Sequence, residues 1–438
     1  VREKKNMISK IKELRFFNFK LFISLCIMSL FPAIYQTTRT FILSNHISTD
    51  AFDVLGQMEW FDLIHETLLA FLIIPLYSIF NKILREDKEN FKYVVFKFSI
   101  VVLIVYTIFQ CIVYLFTLRL IQFMNQNNVD VHLVYVYLRL EVIAFILGII
   151  PNIVKVVFVV TKKSRNVYIF LIVQVVLTII ADFIMIPYFG IRGVAFSNML
   201  INLCLTMIGV LILILEKNIK PSKFKKENIK LFKKYVQTGI FSGAQQFIDN
   251  MVYAIMICKM VNMVSEQGNY WIANNFIWGW LLIPIYALTE VIRSDCKEGY
   301  HSIKQGNYYF IILFIIILWG ITMPLWPYFY KNVEMLENYK IIFNITAKLF
   351  PFYIAYAFCI IPDNIFIGLG KTKYNTINSV IINFIYYGTF YVLYKIEAIN
   401  FTINTIIFMF GFGMVIHLFI SWIEQYIFCK YELPKISD

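Results

Sequence analysis

This sequence is poor in charge. Of its 438 residues only 15% are charged, against 60% hydrophobic and 18% aromatic, and its mean hydropathy is +0.70. A soluble protein of this length needs far more polar surface, so a water-exposed globular fold is excluded. Cysteine is sparse as well. The seven (Cys26, Cys111, Cys204, Cys258, Cys296, Cys359, Cys429) are scattered without metal-ligand spacing. Most sit in apolar runs, where a thiol behaves as a small hydrophobe, so neither a zinc site nor a disulfide framework is expected. Also missing are a Gly-rich nucleotide loop, a nucleophile–base arrangement and a polar domain large enough to hydrolyse ATP. No enzyme and no organic cofactor is expected.

What is present is a series of apolar runs long enough to cross a hydrocarbon core, without the alternation of β-barrel strands. The spans predicted are 15–46, 52–81, 92–122, 131–160, 167–188, 194–215, 234–262, 269–294, 306–329, 341–369, 374–395 and 402–428. The fold class is therefore an all-α polytopic membrane protein of about twelve transmembrane helices. The first fifteen residues carry Arg2, Lys4, Lys5, Lys10, Lys12 and Arg15, but the run that follows is too long for a signal peptide and reads as a retained first helix.

The net charge of +13 sorts by position. The N-terminus, Lys82–Lys92, Lys162–Arg165, Lys217–Lys234, Arg293–Lys304, Lys371–Lys373 and the tail are rich in Lys and Arg; the alternate connections are nearly free of them. This is the positive-inside pattern, which places both termini in the cytoplasm. No basic stretch is long or aromatic-interleaved in the manner of a nucleic-acid groove, so the partners expected are the bilayer and a small-molecule or lipid-like substrate.

One stretch occurs twice. Leu72-Ile73-Ile74-Pro75-Leu76-Tyr77 returns as Leu281-Leu282-Ile283-Pro284-Ile285-Tyr286, 209 residues later, and Lys162–Asn166 answers Lys371–Asn375 at the same offset. Two six-helix lobes follow, 1–215 and 234–438, joined by a cytoplasmic linker at 216–233. An even number of helices per lobe makes the repeat parallel and puts the substrate path between the halves. Pro75 and Pro284 sit at matched depths; each is expected to kink its helix, as packing kink or as hinge.

Charges inside a bilayer cost a few kcal/mol or more each, roughly, and ask for partners or water. Arg39 follows Gln36, Thr37 and Thr38 in helix one. Glu59, Asp62 and Glu66 in helix two share one face, with His65 at its edge. Because helices one and two are consecutive and antiparallel, an Arg39–Glu59 or Arg39–Asp62 pair is expected. Asp182 is the only acid of helix five, and its isolation suits a proton carrier. Asp249 in helix seven lies among Gln245, Gln246 and Asn250, which serve either as packing glue or as a substrate or cation site. Glu290 and Arg293 read as a plain i,i+3 pair. Arg139, Glu141 and Lys259 have no evident role, and His417 reads as satisfied packing.

Three segments resemble the multidrug and toxic-compound extrusion (MATE) transporters, within the superfamily that includes polysaccharide and lipid-linked-sugar flippases. Tyr137-Leu138-Arg139 looks like the opening of that family's helix four. Asp182 followed by Pro187, Gly190, Gly193 and Ala195 looks like its helix five to six segment, and Gly368-Leu369-Gly370-Lys371-Thr372 like its loop after helix ten. The resemblance implies two six-helix lobes around a central cavity, alternating access, and export coupled to H⁺ or Na⁺ entry by a monomer in a bacterial plasma (inner) membrane. Asp182 matches the helix-five Asp/Asn position, with Thr178 where many members have Asn. Asp249 matches the helix-seven acid, ten residues after Gly239. Two positions depart: the usual helix-one Asp is Arg39, and the helix-ten acid falls near Phe358, more than a turn from Asp363.

The resulting expectation is a cation-coupled exporter of small organic compounds, with Asp182 and Asp249 titrating. Arg39 argues against ordinary Na⁺ binding in the first lobe, since a fixed guanidinium repels a cation. Either Asp182 exchanges Arg39 for a proton, or Arg39 faces the cavity and holds an anionic substrate. The alternative is a flippase for an anionic lipid-linked saccharide, with Arg39 and Arg139 binding phosphate.

Overall fold

Backbone N–H and C=O groups in hydrocarbon must find partners within the chain, so apolar runs of this length fold as helices. The computed structural model describes residues 17–47, 51–124, 129–161, 163–215, 227–296, 299–300 and 303–432. Among them twelve helical segments follow in order. The first six are α1 (Phe19–His46), α2 (Ala51–Glu86), α3 (Phe91–Phe123), α4 (Val131–Val160), α5 (Ser164–Phe189) and α6 (Ile191–Leu215). Then come α7, which is Glu227–Tyr253 carried on by a π turn at Ala254–Cys258 and by Lys259–Met263, and α8, which is Gln267–Phe276, a π turn at Ile277–Leu281 and Ile283–Asp295. Last are α9 (Gln305–Val333), α10 (Tyr339–Gly368), α11 (Lys373–Lys395) and α12 (Ile403–Glu432).

By length and composition, 10 of these can cross a membrane, and α8 makes up to 11. The remaining one, α7, is the most polar. It begins at Glu227, inside the segment expected to be a linker; 216–226 lie outside the described residues, as do the basic N-terminal stretch through Arg15, Lys162 and the tail beyond Glu432.

The contacts divide the chain into two compact units whose boundaries differ from the expected lobes: Thr38–Gly268 on the one hand, and the chain up to Thr37 together with Asn269 onward on the other. In the first unit α6 packs against α4 and α5, α3 against α4, and α7 along α2. Leu76, Phe80, Val102, Tyr106 and Ile149 are wholly buried where α2, α3 and α4 meet. In the second unit α10 is central, packed against α8, α9 and α12. Between helices in lipid there is little hydrophobic drive, so close approach and polar stitches hold such units together. Gly239 lets α7 come so near α2 that an added Cβ would lie 2.5 Å from the Phe71 carbonyl oxygen. Alongside it, Ser242 Oγ donates to the Ala70 carbonyl at 2.8 Å, and Asn250 Nδ2 to the Leu63 carbonyl and Thr67 Oγ1 at 3.0 Å each.

The repeated proline stretch breaks both helices at the same place. In α2 the helix restarts at Ile74 after Ile73; in α8 it restarts at Ile283 after Leu282, with the proline second in each new segment. The break frees the carbonyl just before it, and in each unit a side chain takes that carbonyl up. Tyr235 Oη donates to the Leu72 carbonyl at 2.7 Å, and Trp319 Nε1 to the Leu281 carbonyl at 3.0 Å. The expected kink is present in α8, which bends by 50° there, whereas α2 continues as one span.

At the α5–α6 corner an added Cβ on Gly193 would lie 2.3 Å from the Met185 carbonyl oxygen, a backbone atom that cannot step aside. Gly193→Ala is expected to cost about 1–3 kcal/mol and lower the melting temperature in detergent. Gly320→Ala in α9, whose Cβ meets nothing within 4 Å, should leave it unchanged or raise it.

Candidate functional site

A guanidinium keeps its proton, so Arg39 is a permanent positive charge wherever α1 places it. α1 places it against α5. Arg39 Nε donates to Asp182 Oδ2 at 2.7 Å and Nη2 to Oδ1 at 3.1 Å, a two-pronged pair whose side chains are only 12% and 2% exposed. The same Nη2 donates to Asn198 Oδ1 on α6 at 2.9 Å. Asn198 then turns its amide nitrogen to Glu141 on α4, at 2.9 and 3.1 Å from the two carboxylate oxygens. Glu141 is buried. Four helices thus meet on one chain of charge-assisted bonds, with two carboxylates and one cation.

The Arg39–Asp182 pair corrects the expectation that Arg39 would bond Glu59 or Asp62. Glu59 instead accepts from Tyr253 Oη at 2.8 Å and from Gln267 Nε2 at 3.1 Å. Nearby, Gln57 and Asn262 exchange amide bonds at 2.9 and 3.1 Å, so this end of α2 is stitched to α7 and the start of α8. Asp62 is half-buried and Glu66 exposed; neither forms an ion pair among the described residues. His65 lies parallel on Phe145, its ring centroid 4.2 Å away, and bonds through Nδ1 to Tyr106 Oη.

The helix-seven residues separate. Gln246 Nε2 donates to Asn250 Oδ1 at 2.8 Å, and Asn250 spends its own donor on α2, so these amides hold α7 in place. Asp249 and Gln245 are half-buried, as is Gln36, three residues before Arg39 on α1. Between α2, α3 and α7 runs a groove of about 790 Å³ lined by Leu63, Phe71, Phe109, Ile240, Phe247 and Asn250 among others; Arg39, Glu141 and Asp182 are not in its wall. Glu290 pairs with Arg293 at 2.6 Å, as the spacing predicted.

Arg139 stands apart from Arg39. Its guanidinium carbon lies 3.6 Å from the centre of the Tyr114 ring and 5.0 Å from that of Tyr135, and Nη1 donates to Tyr135 Oη at 2.6 Å. The residue that sequence reasoning missed entirely is Asn198, and Glu141 had no role. A Ser197-Asn198 pair inside the apolar α6 was the available signal. His417, read as packing, bonds Asp363 Oδ2 through Nε2 at 2.9 Å.

The chain is similar over nearly its whole length to several solved transporters. An inward-facing multidrug resistance MATE family transporter of the MOP superfamily has a TM-score of 0.71 at 15% identity, over 93% of this chain and 97% of that one. A MOP superfamily transporter from Pyrococcus furiosus, described as having a binding pocket of reverse polarity that suggests a different function, has a TM-score of 0.65 at 15% identity, over 94% and 96%. A MATE protein in the bent conformation gives 0.64 at 16%, over 95% and 97%. No protein-family model and no curated protein matches the sequence. What is shared is the fold, the all-α polytopic architecture that the motif resemblance implied.

Asp182→Leu leaves the Arg39 guanidinium in a site built for a pair, at an expected cost of about 3–5 kcal/mol. The double variant Arg39→Met, Asp182→Leu should recover most of that loss. Thermal unfolding of the three proteins in detergent checks it; a double variant no more stable than Asp182→Leu would mean that the unpaired guanidinium is not what destabilises the single variant.

Proposed function

We propose that this chain, which has the fold of MATE transporters, is a secondary transporter that works by alternating access and exports small organic compounds against proton entry. The observation that carries the reading is the buried Asp182–Arg39–Asn198–Glu141 chain, in which two carboxylates are set against one cation. In a low-dielectric interior the second negative charge needs a proton or a cation beside it. Arg39 already occupies the place where a small cation would bind Asp182, and its fixed charge repels Na⁺, which favours H⁺ as the coupling ion. A proton reaching Asp182 neutralises it and loosens its hold on Arg39, so α1 is freed from α5. A proton leaving restores the pair. Protonation and helix position are coupled through one bond, as an antiporter requires. In this reading Asp249 is a second titrating acid, Pro75 and Pro284 are hinges, and both termini are cytoplasmic.

Translocation of an anionic lipid-linked saccharide is the second reading. It draws on Arg139, whose charge meets aromatic faces rather than a carboxylate in the bonds described. Against it, Arg39 is already engaged by Asp182 and is not displayed for phosphate.

In proteoliposomes with an imposed pH gradient, Asp182→Asn is expected to abolish gradient-driven export of an organic cation while the protein stays folded. Glu141→Gln should slow export and move its pH dependence. Wild-type export that follows a Na⁺ gradient at constant pH would overturn proton coupling, and undiminished export by Asp182→Asn would overturn the assignment of the site.

A further inference from the structure

A second polar cluster lies in the other unit, on α10, α11 and α12, and the proposed transport cycle makes no use of it. Cys359 and Asp363 are one turn apart on α10; His417 and Ser421 are one turn apart on α12. The facing residues meet. His417 Nε2 lies 2.9 Å from Asp363 Oδ2, and Ser421 Oγ donates to Asp363 Oδ1 at 2.7 Å. Asn378 on α11, wholly buried, donates from Nδ2 to Ser421 Oγ at 2.8 Å and to the His417 carbonyl at 3.3 Å. The Cys359 thiol donates to the Tyr356 carbonyl at 3.1 Å. A sulfur, an imidazole nitrogen and a carboxylate oxygen here lie within 4.8 Å of one another.

Packing does not account for this arrangement. One turn beyond Ser421 on α12 stands Glu424, 7% exposed, and neither of its carboxylate oxygens has a hydrogen-bond partner among the described residues. The Asn378 Oδ1 atom is in the same condition. An apolar helix seam that carries a thiol, an imidazole and two carboxylates, and leaves buried acceptors unsatisfied, has more ligand capacity than its internal bonds use.

We propose that Cys359, Asp363 and His417 form a binding site for a divalent transition ion of the zinc class, which ties α10 to α12. The donor set selects the ion. Thiolate, imidazole and carboxylate together suit Zn²⁺ or Co²⁺, whereas Na⁺, Mg²⁺ and Ca²⁺ prefer oxygen alone. The charges also balance: a thiolate and a carboxylate offset the dication, and His417 binds as neutral imidazole. On binding, the Cys359 S–H bond is replaced by a sulfur–metal bond and the proton leaves to solvent. Around a tetrahedral ion, nitrogen and oxygen ligands stand roughly 3.3 Å apart and sulfur about 3.6 Å from either. The His417–Asp363 distance therefore opens slightly, and the Cys359 side chain swings inward. Ser421, itself held by Asn378, fixes the carboxylate from behind, the part an outer-shell group plays in metal sites. The fourth position is left to water.

The test uses the full chain in detergent, stripped of metal with a chelator and titrated with Co²⁺. The expected result is a thiolate-to-cobalt charge-transfer band that saturates at one ion per chain and is displaced by Zn²⁺ but not by Mg²⁺ or Na⁺. Cys359→Ser should abolish the band, and Cys258→Ser, in the other unit, should keep it. Ser421→Ala should weaken cobalt affinity by about 10–100-fold. In parallel, Zn²⁺ should raise the melting temperature of the native protein and not that of Cys359→Ser, a near-isosteric change. A native protein without the band, or a band that survives in Cys359→Ser, overturns the site; a melting temperature indifferent to Zn²⁺ overturns the tie between helices. Neither readout involves transport, so failure here and failure of the export reading are separable.

Discussion

A buried guanidinium that cannot lose its proton sets the terms for the unit from Thr38 to Gly268. It must be answered by a carboxylate, and the carboxylate that answers is Asp182, from a helix 143 residues further on. Once that pair exists, Asn198 has one orientation: carbonyl toward Arg39, amide nitrogen toward Glu141. Glu141 in turn is the acid left over. The positions of α1, α4, α5 and α6 are all written into this one sequence of bonds, and the second carboxylate at its end is the feature on which the proposed proton coupling draws.

The same demand, that nothing polar be left unanswered in hydrocarbon, explains how a repeated proline can be tolerated twice. A proline in mid-membrane costs a backbone bond and disturbs the turn before it. Here the disturbed turn exposes the carbonyls of Leu72 and Leu281, positions equivalent in the repeat, and each finds a donor from a neighbouring helix of its own unit. The donors differ, a tyrosine in one case and a tryptophan in the other. The backbone problem is inherited by both halves; its solutions are separate.

Much of this was legible in the sequence. Hydropathy placed most of the helices within a few residues, with α7, which starts at Glu227 rather than 234, the main departure, and the Pro75–Pro284 repeat marked both breaks. Asp182 stood out because no neighbour in its own helix could neutralise it. Its partner did not. Sequence order suggested that Arg39 would meet the acids of the next helix, Glu59 and Asp62. Being consecutive fixes which helices are adjacent in the chain, but not which way each face turns about its axis, and Arg39 turns toward α5. Asn198 was invisible for a related reason: an uncharged amide in an apolar helix draws notice only when the charges on either side of it are known. Asp363 and His417, 54 residues apart, carry no spacing signal at all and come together only through the packing of α10 on α12.

The π turn at Ile277–Leu281 has a counterpart in the repeat that is ordinary α-helix, the last residues of Met58–Leu72. Such a turn holds one residue more than an α turn, so everything ahead of it is rotated by roughly 100° relative to the break that follows. The repeat survives in the letters of the sequence but its phase is lost. Equivalents of Glu59, Asp62 and Glu66 in α8 are Gly268, Trp271 and Asn275, and even had they been acids they would have looked in another direction. A single inserted residue's worth of winding is thus enough to let two helices that share one repeated stretch present different faces. The second half carries no carboxylates at those positions, yet both halves keep the proline break.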